Sequence, residues 1–143
     1  MKVRRQAHCV YRCGYHVVFI PKYGYKVLTR GVKEYLGIKL DEVRKYYPEL
    51  EYLERNIQLD HVHLFISFPS KYSVAQMVGI IKQNTSRSLK EKFDFVRQRY
   101  IGTQAMWFTG YFVSTVGLDE SMIRNYIKYQ EKEDLGQATL ALG

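Results

Sequence analysis

The chain has 143 residues, 46% hydrophobic and 25% charged, a balance typical of one globular domain that can bury a core. We expect a single domain over residues 1–143, with a loose tail from about residue 134. No apolar run is long enough to span a membrane, and no hydrophobic stretch follows the basic residues of Met1–Arg5, so neither a membrane helix nor a secretory signal is expected. The 22 Lys and Arg outnumber the 14 Asp and Glu, and the net charge of +8 favours a polyanionic partner such as nucleic acid.

Tyrosine and cysteine give weaker indications. The 13 tyrosines could stack on the bases of single-stranded nucleic acid, but they suit a β-rich core or a dimer interface equally. Cys9 and Cys13 on one strand would lie about 13 Å apart, too far for a disulfide. Two cysteines without paired CxxC motifs also do not suit a structural zinc site, and the protein is expected in the reducing cytoplasm.

The first half of the chain predicts a strand, a helix and two further strands. Aromatic and β-branched residues predict a strand over Tyr11–Ile20. Apolar residues at helical spacing predict a helix over Gly31–Tyr47, which a proline ends. Leu50–Gln58 and Leu59–Phe68 are expected to be neighbouring strands.

The second half begins with Ser73, which is expected to cap a long amphipathic helix. Phe93–Gly102 is predicted as a short helix or loop, Met106–Val116 as the fourth strand and Ser121–Lys132 as a final amphipathic helix. The order β-α-β-β-α-β-α is typical of a ferredoxin-like sandwich. We therefore predict an α+β fold: a four-stranded antiparallel sheet with helices on one face, plus a C-terminal helix.

The third predicted strand carries two histidines on one face. Its residues alternate, so that Val62 and Leu64 point to one side while His61 and His63 point to the other. The two imidazoles are then about 6 to 7 Å apart along the strand, close enough to bind one metal ion. Two ordinary strand histidines would show the same pattern, and only a third ligand elsewhere could distinguish the two interpretations.

The last helix places Tyr126 and Gln130 one turn apart on one face. The amide oxygen of Gln130 suits a hard cation, and a phosphate bound to that cation would lie within reach of the Tyr126 phenol. The alternative is that Tyr126 belongs to the apolar stripe of the helix and that Gln130 ends it.

Together these residues resemble the single-tyrosine HUH transposases (TnpA type) of the insertion-sequence 200/605 group, which move single-stranded DNA. The resemblance extends from about residue 10 to residue 132. The stretches that carry it are Tyr15–Tyr23 (YHVVFIPKY), Asp60–Leu64 (DHVHL), Ile81–Arg87 (IKQNTSR) and Gly110–Gly117 (GYFVSTVG), followed by Tyr126 and Gln130.

The resemblance implies a site and a reaction. His61, His63 and Gln130 would bind one divalent cation, Mg²⁺ or Mn²⁺, and Tyr126 would attack the scissile phosphate. The product would be a 5′-phosphotyrosine link with a free 3′-hydroxyl, which a second attack rejoins without a nucleotide cofactor. The family also implies a homodimer with active sites shared between subunits, and recognition of hairpins at single-stranded element ends.

Three further residues are candidates for DNA contact: Lys82 and Arg87 on the long helix, and His16 on the first strand. A solvated helix face and a packed strand histidine are the corresponding alternatives. Asp60 is expected to face away from the histidines, so a supporting role and no role are both open. The chain departs from the family at Gly24, where an arginine is common, and at Asn84, which interrupts a pattern of small hydroxyl residues.

Three other classes of protein share some of these features. A replication initiator or relaxase shares the HUH chemistry but is usually longer, with extra domains. A ferredoxin-like single-stranded nucleic-acid-binding module would carry aromatics, not histidines, on the exposed sheet face. A histidine-triad hydrolase requires a third alternating histidine, and residue 65 is Phe65.

Overall fold

The computed structural model describes residues 12–103 and 105–142, in which four strands and four helices follow the predicted order. The antiparallel sheet has the strand order β2-β3-β1-β4. This arrangement confirms the predicted α+β, ferredoxin-like fold. The elements are β1 (Arg12–Phe19), α1 (Arg30–Tyr46), β2 (Glu51–Gln58), β3 (His61–Pro69), α2 (Val74–Lys92), α3 (Asp94–Arg99), β4 (Phe112–Ser114) and α4 (Glu120–Leu142), with a short 3-10 turn at Lys22–Gly24 after β1.

The main core lies between one face of the sheet and helices α1 and α2. Alternate residues of β1 and β3 point into it, including Val17, Phe19, Leu64 and Ile66, which are at most 1% exposed. The alternation predicted from the sequence therefore places the apolar set of β3 in the core, and the histidines lie on the opposite face of the sheet.

The long helix α2 begins where the sequence predicts. Ser73 forms a capping box: its side chain accepts from the Gln76 N–H, and the Gln76 side chain accepts from the Ser73 N–H. Further along α2, the buried Thr85 hydroxyl accepts from the indole N–H of Trp107 at 3.0 Å. This bond ties α2 to the segment that leads into β4.

The fourth strand is much shorter than the predicted Met106–Val116. Only Phe112–Ser114 forms β4, and residues 106–108 lie beside the chain that follows β1, where the Phe108 N–H donates to the Ile20 carbonyl. Val18 pairs with Phe112. From the Ile20–Phe108 pair to the Val18–Phe112 pair, the chain of β1 spans two residues and the edge segment spans four. The two extra residues of the edge segment form a bulge.

The ammonium group of Lys82 satisfies the carbonyls of this bulge. Its Nζ donates to the carbonyls of Phe108, Thr109 and Gly110 at 2.6, 3.3 and 3.0 Å. Burial lowers the pKa of Lys82 from its ordinary value of 10.5 to about 8.

Helix α4 lies on the second face of the sheet. Its buried residues Ile123, Tyr126 and Ile127 form a second core cluster with Val18 and Ile20 of the sheet, and with Phe108. The helix continues to Leu142, whereas the sequence predicts its end at Lys132 and a loose tail from about residue 134. Ala and Leu make up half of residues 134–143, and both favour helix.

Two smaller points complete the description. No helix within residues 12–103 and 105–142 is long and apolar enough to cross a membrane. Cys9, on which the predicted separation from Cys13 depends, lies outside the described residues.

Thr85→Val should destabilise the fold by about 1–3 kcal/mol, because it removes the acceptor of a buried indole N–H while keeping the side-chain shape. Urea denaturation followed by tryptophan fluorescence would measure the loss. Thr29→Val is the matched control, since Thr29 is exposed and makes no side-chain cap bond. Equal stability of the two variants would contradict the prediction.

The lowered pKa of Lys82 predicts a dependence of stability on pH. Between pH 8 and 10.5 the unfolded chain binds more protons at Lys82 than the folded chain does, so stability should rise with pH relative to Lys82→Met. Below pH 8 the difference between the two proteins should be constant. Urea titrations of both proteins across this range provide the measurement, and a difference that does not change with pH would contradict the prediction.

Candidate active site on the histidine face of the sheet

The two histidines of β3 share a buried face with His16 of β1. His61 and His63 are only 4% and 9% exposed, whereas the sequence predicts that the histidine face of β3 is exposed. The prediction was wrong because α4 covers that face. A change at His61 therefore leaves a space beneath a helix and is not a mere surface change.

Asp60 connects the histidine pair to α4. It lies in the two-residue turn between β2 and β3, where strand alternation does not apply, and its Oδ1 is 2.9 Å from Nδ1 of His61. Arg124 of α4 donates to both carboxylate oxygens, at 2.8 and 3.4 Å. The expectation that Asp60 faces away from the histidines is therefore wrong.

Electrostatics favour the charged form of Asp60. Burial alone would raise the pKa of Asp60, but hydrogen bonds from Arg124 and His61 outweigh it and hold that pKa below its ordinary value. A carboxylate on Nδ1 of His61 leaves Nε2 as the nitrogen available to a ligand. This arrangement is common around metal-binding histidines.

His16 is joined to His63. Its Nδ1 lies 3.1 Å from Nε2 of His63, and its ring stacks on Phe65 with centroids 4.1 Å apart. Burial, and then the neighbouring His16, lower the pKa of His63. These contacts establish that His16 belongs to the histidine face, which the sequence left open, and that it packs against its neighbours there.

Tyr126 also lies over this face. It is 8% exposed, and its ring centroid is 5.5 Å from that of Phe112 in β4. It packs in one cluster with Val18, and Val18 is the register partner of His63. Tyr126 therefore lies above the strand next to the histidine pair, on the same side of the sheet.

Gln130 follows Tyr126 by one helical turn and is 7% exposed. Among the described residues its buried Oε1 has no hydrogen-bond partner. A buried amide oxygen without a donor is costly, and a hard cation would satisfy it. Within residues 12–103 and 105–142, no three His, Cys, Asp or Glu side chains cluster as a metal site. Two imidazole nitrogens and an amide oxygen are ligand types that a divalent cation accepts.

A small cavity separates the histidines from the start of α4. Its volume is about 300 Å³, and it is lined by Asn56, Gln58, His61, His63, Leu118, Glu120, Ile123 and Arg124. Tyr126 and Gln130 are not among these lining residues. The structure thus brings the histidine pair together with the first turns of α4, and it places Tyr126 and Gln130 farther along the same helix.

The two basic candidates on α2 differ in their surroundings. Lys82 donates to three backbone carbonyls of the bulge. Arg87 is exposed and donates to Asn84. Both side chains line one cleft of about 760 Å³ with Lys90 and Arg97. A phosphate contact from Lys82 would have to replace its bonds to the bulge, whereas one from Arg87 would not.

Sequence reasoning missed Arg124 and Phe112. Arg124 lies two residues before Tyr126, and its partner Asp60 is 64 residues away in sequence. Only the packing of α4 reveals this pairing. Phe112 could be assigned to a strand, but its contact with Tyr126 depends on the bulge that precedes it.

Comparison with known proteins identifies the family. The family model described as "Transposase IS200 like" matches residues 9–130, a span that contains the histidine pair, Tyr126 and Gln130. The chain belongs to the IS200-like transposase family.

Relatives of this IS200-like transposase extend over most of its length. The transposase for insertion sequence element IS200 of Salmonella typhimurium is 33% identical over 128 residues, which cover 90% of this chain and 83% of the relative. The ISDra2 transposase TnpA of Deinococcus radiodurans is 24% identical over 137 residues, which cover 94% and 95% of the two chains. Family membership favours a transposase over the relaxase, RNA-binding and histidine-triad alternatives.

Two solved structures share the fold. A crystal structure of a candidate transposase from Deinococcus radiodurans superposes with a TM-score of 0.76 at 24% identity, covering 89% of this chain and 97% of that one. The structure of a REP-associated tyrosine transposase bound to a REP hairpin gives a TM-score of 0.53 at 13% identity, covering 96% and 74%. At these identities the likeness shows the fold of the IS200-like transposase.

Proposed function

We propose that this IS200-like transposase, acting as one domain over residues 1–143, cleaves and rejoins single-stranded DNA at the ends of an insertion sequence. The Tyr126 phenol oxygen attacks the scissile phosphorus, the bond to the 3′-oxygen breaks, and the 5′-phosphate remains on Tyr126. A second 3′-hydroxyl then attacks this linkage and releases the tyrosine. Each transesterification conserves the number of phosphodiester bonds, so no nucleotide cofactor is needed.

The single observation that carries this proposal is the packing of α4 on the histidine face. It puts a buried tyrosine on the strand adjacent to the histidine pair, and Arg124 fixes the helix to Asp60, which in turn holds His61. A nucleophile must be held near its target for efficient transfer. The covering helix supports a nucleophile at Tyr126.

The same face supports a metal-dependent mechanism. We propose that His61, His63 and Gln130 hold Mg²⁺ or Mn²⁺, which would polarise the phosphate and stabilise the charge that develops during transfer. Asp60 holds Nδ1 of His61, and the buried Gln130 amide keeps an oxygen without a donor among the described residues. Both features suit ligands prepared for a cation.

DNA and protein partners follow from the same proposal. The net charge of +8 suits a nucleic-acid partner, and a structurally similar tyrosine transposase was solved bound to a hairpin. We propose that this protein recognises hairpins at element ends, with contacts from Arg87 and, near the active site, His16. We also propose a cytoplasmic homodimer whose subunits could exchange α4, because the residues 115–119 before it form a short connection.

Tyr126→Phe should abolish the covalent link to single-stranded DNA, because the phenyl ring keeps the packing against Phe112 but lacks the attacking oxygen. Incubation with element-end DNA and Mn²⁺, followed by a denaturing gel, would reveal the adduct. Tyr129→Phe is the control, since Tyr129 is 59% exposed on the same helix. An adduct formed by Tyr126→Phe would refute this nucleophile.

Asp60→Asn should weaken Mn²⁺ binding by about 10–100-fold, because His61 loses the carboxylate that orients its ring. Calorimetry or Mn²⁺ paramagnetic resonance would measure the affinity without any DNA. Asp41→Asn is a matched control, since Asp41 also pairs with an arginine, Arg55, but lies on α1 away from the site. Unchanged affinity in Asp60→Asn would contradict the supporting role of this carboxylate.

A further inference from the structure

The bulge before β4 has a cation at its centre. Lys82 extends from α2, on one side of the sheet, to the edge of the sheet and donates to the carbonyls of Phe108, Thr109 and Gly110. An ammonium group has three N–H donors, and here three carbonyls accept from it. A phosphate contact would have to compete with all of them.

The bulge also lies between two phenylalanines that pack near Tyr126. Phe108 stands at its beginning and is part of the core cluster that contains Tyr126, and Phe112 stands after its end, 5.5 Å from the Tyr126 ring. The position of both phenylalanines relative to β1 depends on how the intervening residues are folded. Lys82 therefore binds the backbone between Phe112, whose ring contacts Tyr126, and Phe108, which belongs to the same core cluster as Tyr126.

Gly110 shows how closely this turn is packed. A Cβ added there would lie 3.1 Å from Cε1 of the Phe108 ring, so a larger residue would force that ring to move. The bulge is thus constrained on one side by the ammonium group and on the other by the phenylalanine ring.

We propose that Lys82 is a positioning residue for the Tyr126 nucleophile, acting through the bulge and its two flanking phenylalanines. The inference rests on the proposed function, since it assumes that Tyr126 attacks DNA. It differs from the sequence-based expectation that Lys82 contacts DNA. Without the ammonium group, three carbonyls beside the core lose their donor, the bulge relaxes, and Phe108 and Phe112 no longer define one position for the phenol.

The test separates the rate of attack from the affinity for DNA. We expect Lys82→Met to lower the single-turnover rate of adduct formation at saturating single-stranded DNA by about 10–100-fold, because small displacements of a nucleophile are costly. DNA affinity, measured by fluorescence anisotropy in a Tyr126→Phe background, should change by no more than about twofold, because the ammonium group already donates to three carbonyls. Lys82→Arg, which restores a cation with several donors, should recover much of the rate.

Two controls address charge and stability. Lys92→Met removes a cation from the same helix, one that lies over the Tyr35 ring, and should leave the rate of attack unchanged. Val43→Ala removes buried apolar surface on α1, which contributes no residue to the bulge, so it shows how far instability alone reduces the rate. If Lys82→Met fails to fold, Gly110→Ala, which displaces Phe108 and keeps the cation, is expected to slow attack in the same way.

Several results would overturn the inference. A Lys82→Met protein that attacks at the wild-type rate would do so, and so would one whose only defect is weaker DNA binding, which would make Lys82 a phosphate ligand. A rate loss no greater than that of Val43→Ala would reduce the role of Lys82 to stability. If the wild-type protein itself forms no adduct, the proposed function fails and this inference fails with it; if only the Lys82 result is negative, the proposed function stands.

Discussion

The site depends on the burial of one side of α4 against the second face of the sheet. Ile123, Tyr126 and Ile127 lose their contact with water by packing on Val18 and Ile20. Full burial of one such apolar side chain contributes roughly 1.5–3 kcal/mol to the free energy of unfolding, so the packing of α4 on this face is stable. The same packing brings the side chain of Tyr126 onto the face that carries the histidines.

Polar contacts give this apolar packing a specific register. Apolar contacts alone do not fix the position of a helix on an apolar surface. The bidentate contact of Arg124 with Asp60 fixes the position of the first turns of α4 relative to the sheet. Asp60 also holds His61, so one carboxylate connects the helix to the imidazole pair. The position of the proposed nucleophile and the orientation of a proposed ligand therefore depend on the same side chain.

A second connection to the site comes through the sheet edge, from the face of the sheet that α2 covers. Lys82 comes from α2 in the main core, while the rings of Phe108 and Phe112 lie with Tyr126 on the histidine face. The bulge thus couples the two layers that cover the sheet. The geometry of the bulge depends on the half-buried ammonium group of Lys82. Burial disfavours the charged form of this group and lowers its pKa to about 8.

Local sequence patterns were enough to predict the order of elements, the face of β3 that carries His61 and His63, and the one-turn spacing of Tyr126 and Gln130. These features follow from short periodicities of two and 3.6 residues, which local chain geometry enforces. Three features became visible only in the folded chain: α4 covers the histidines, Asp60 pairs with Arg124, and a bulge shortens β4. These outcomes depend on contacts between residues far apart in the chain, for which no local pattern exists.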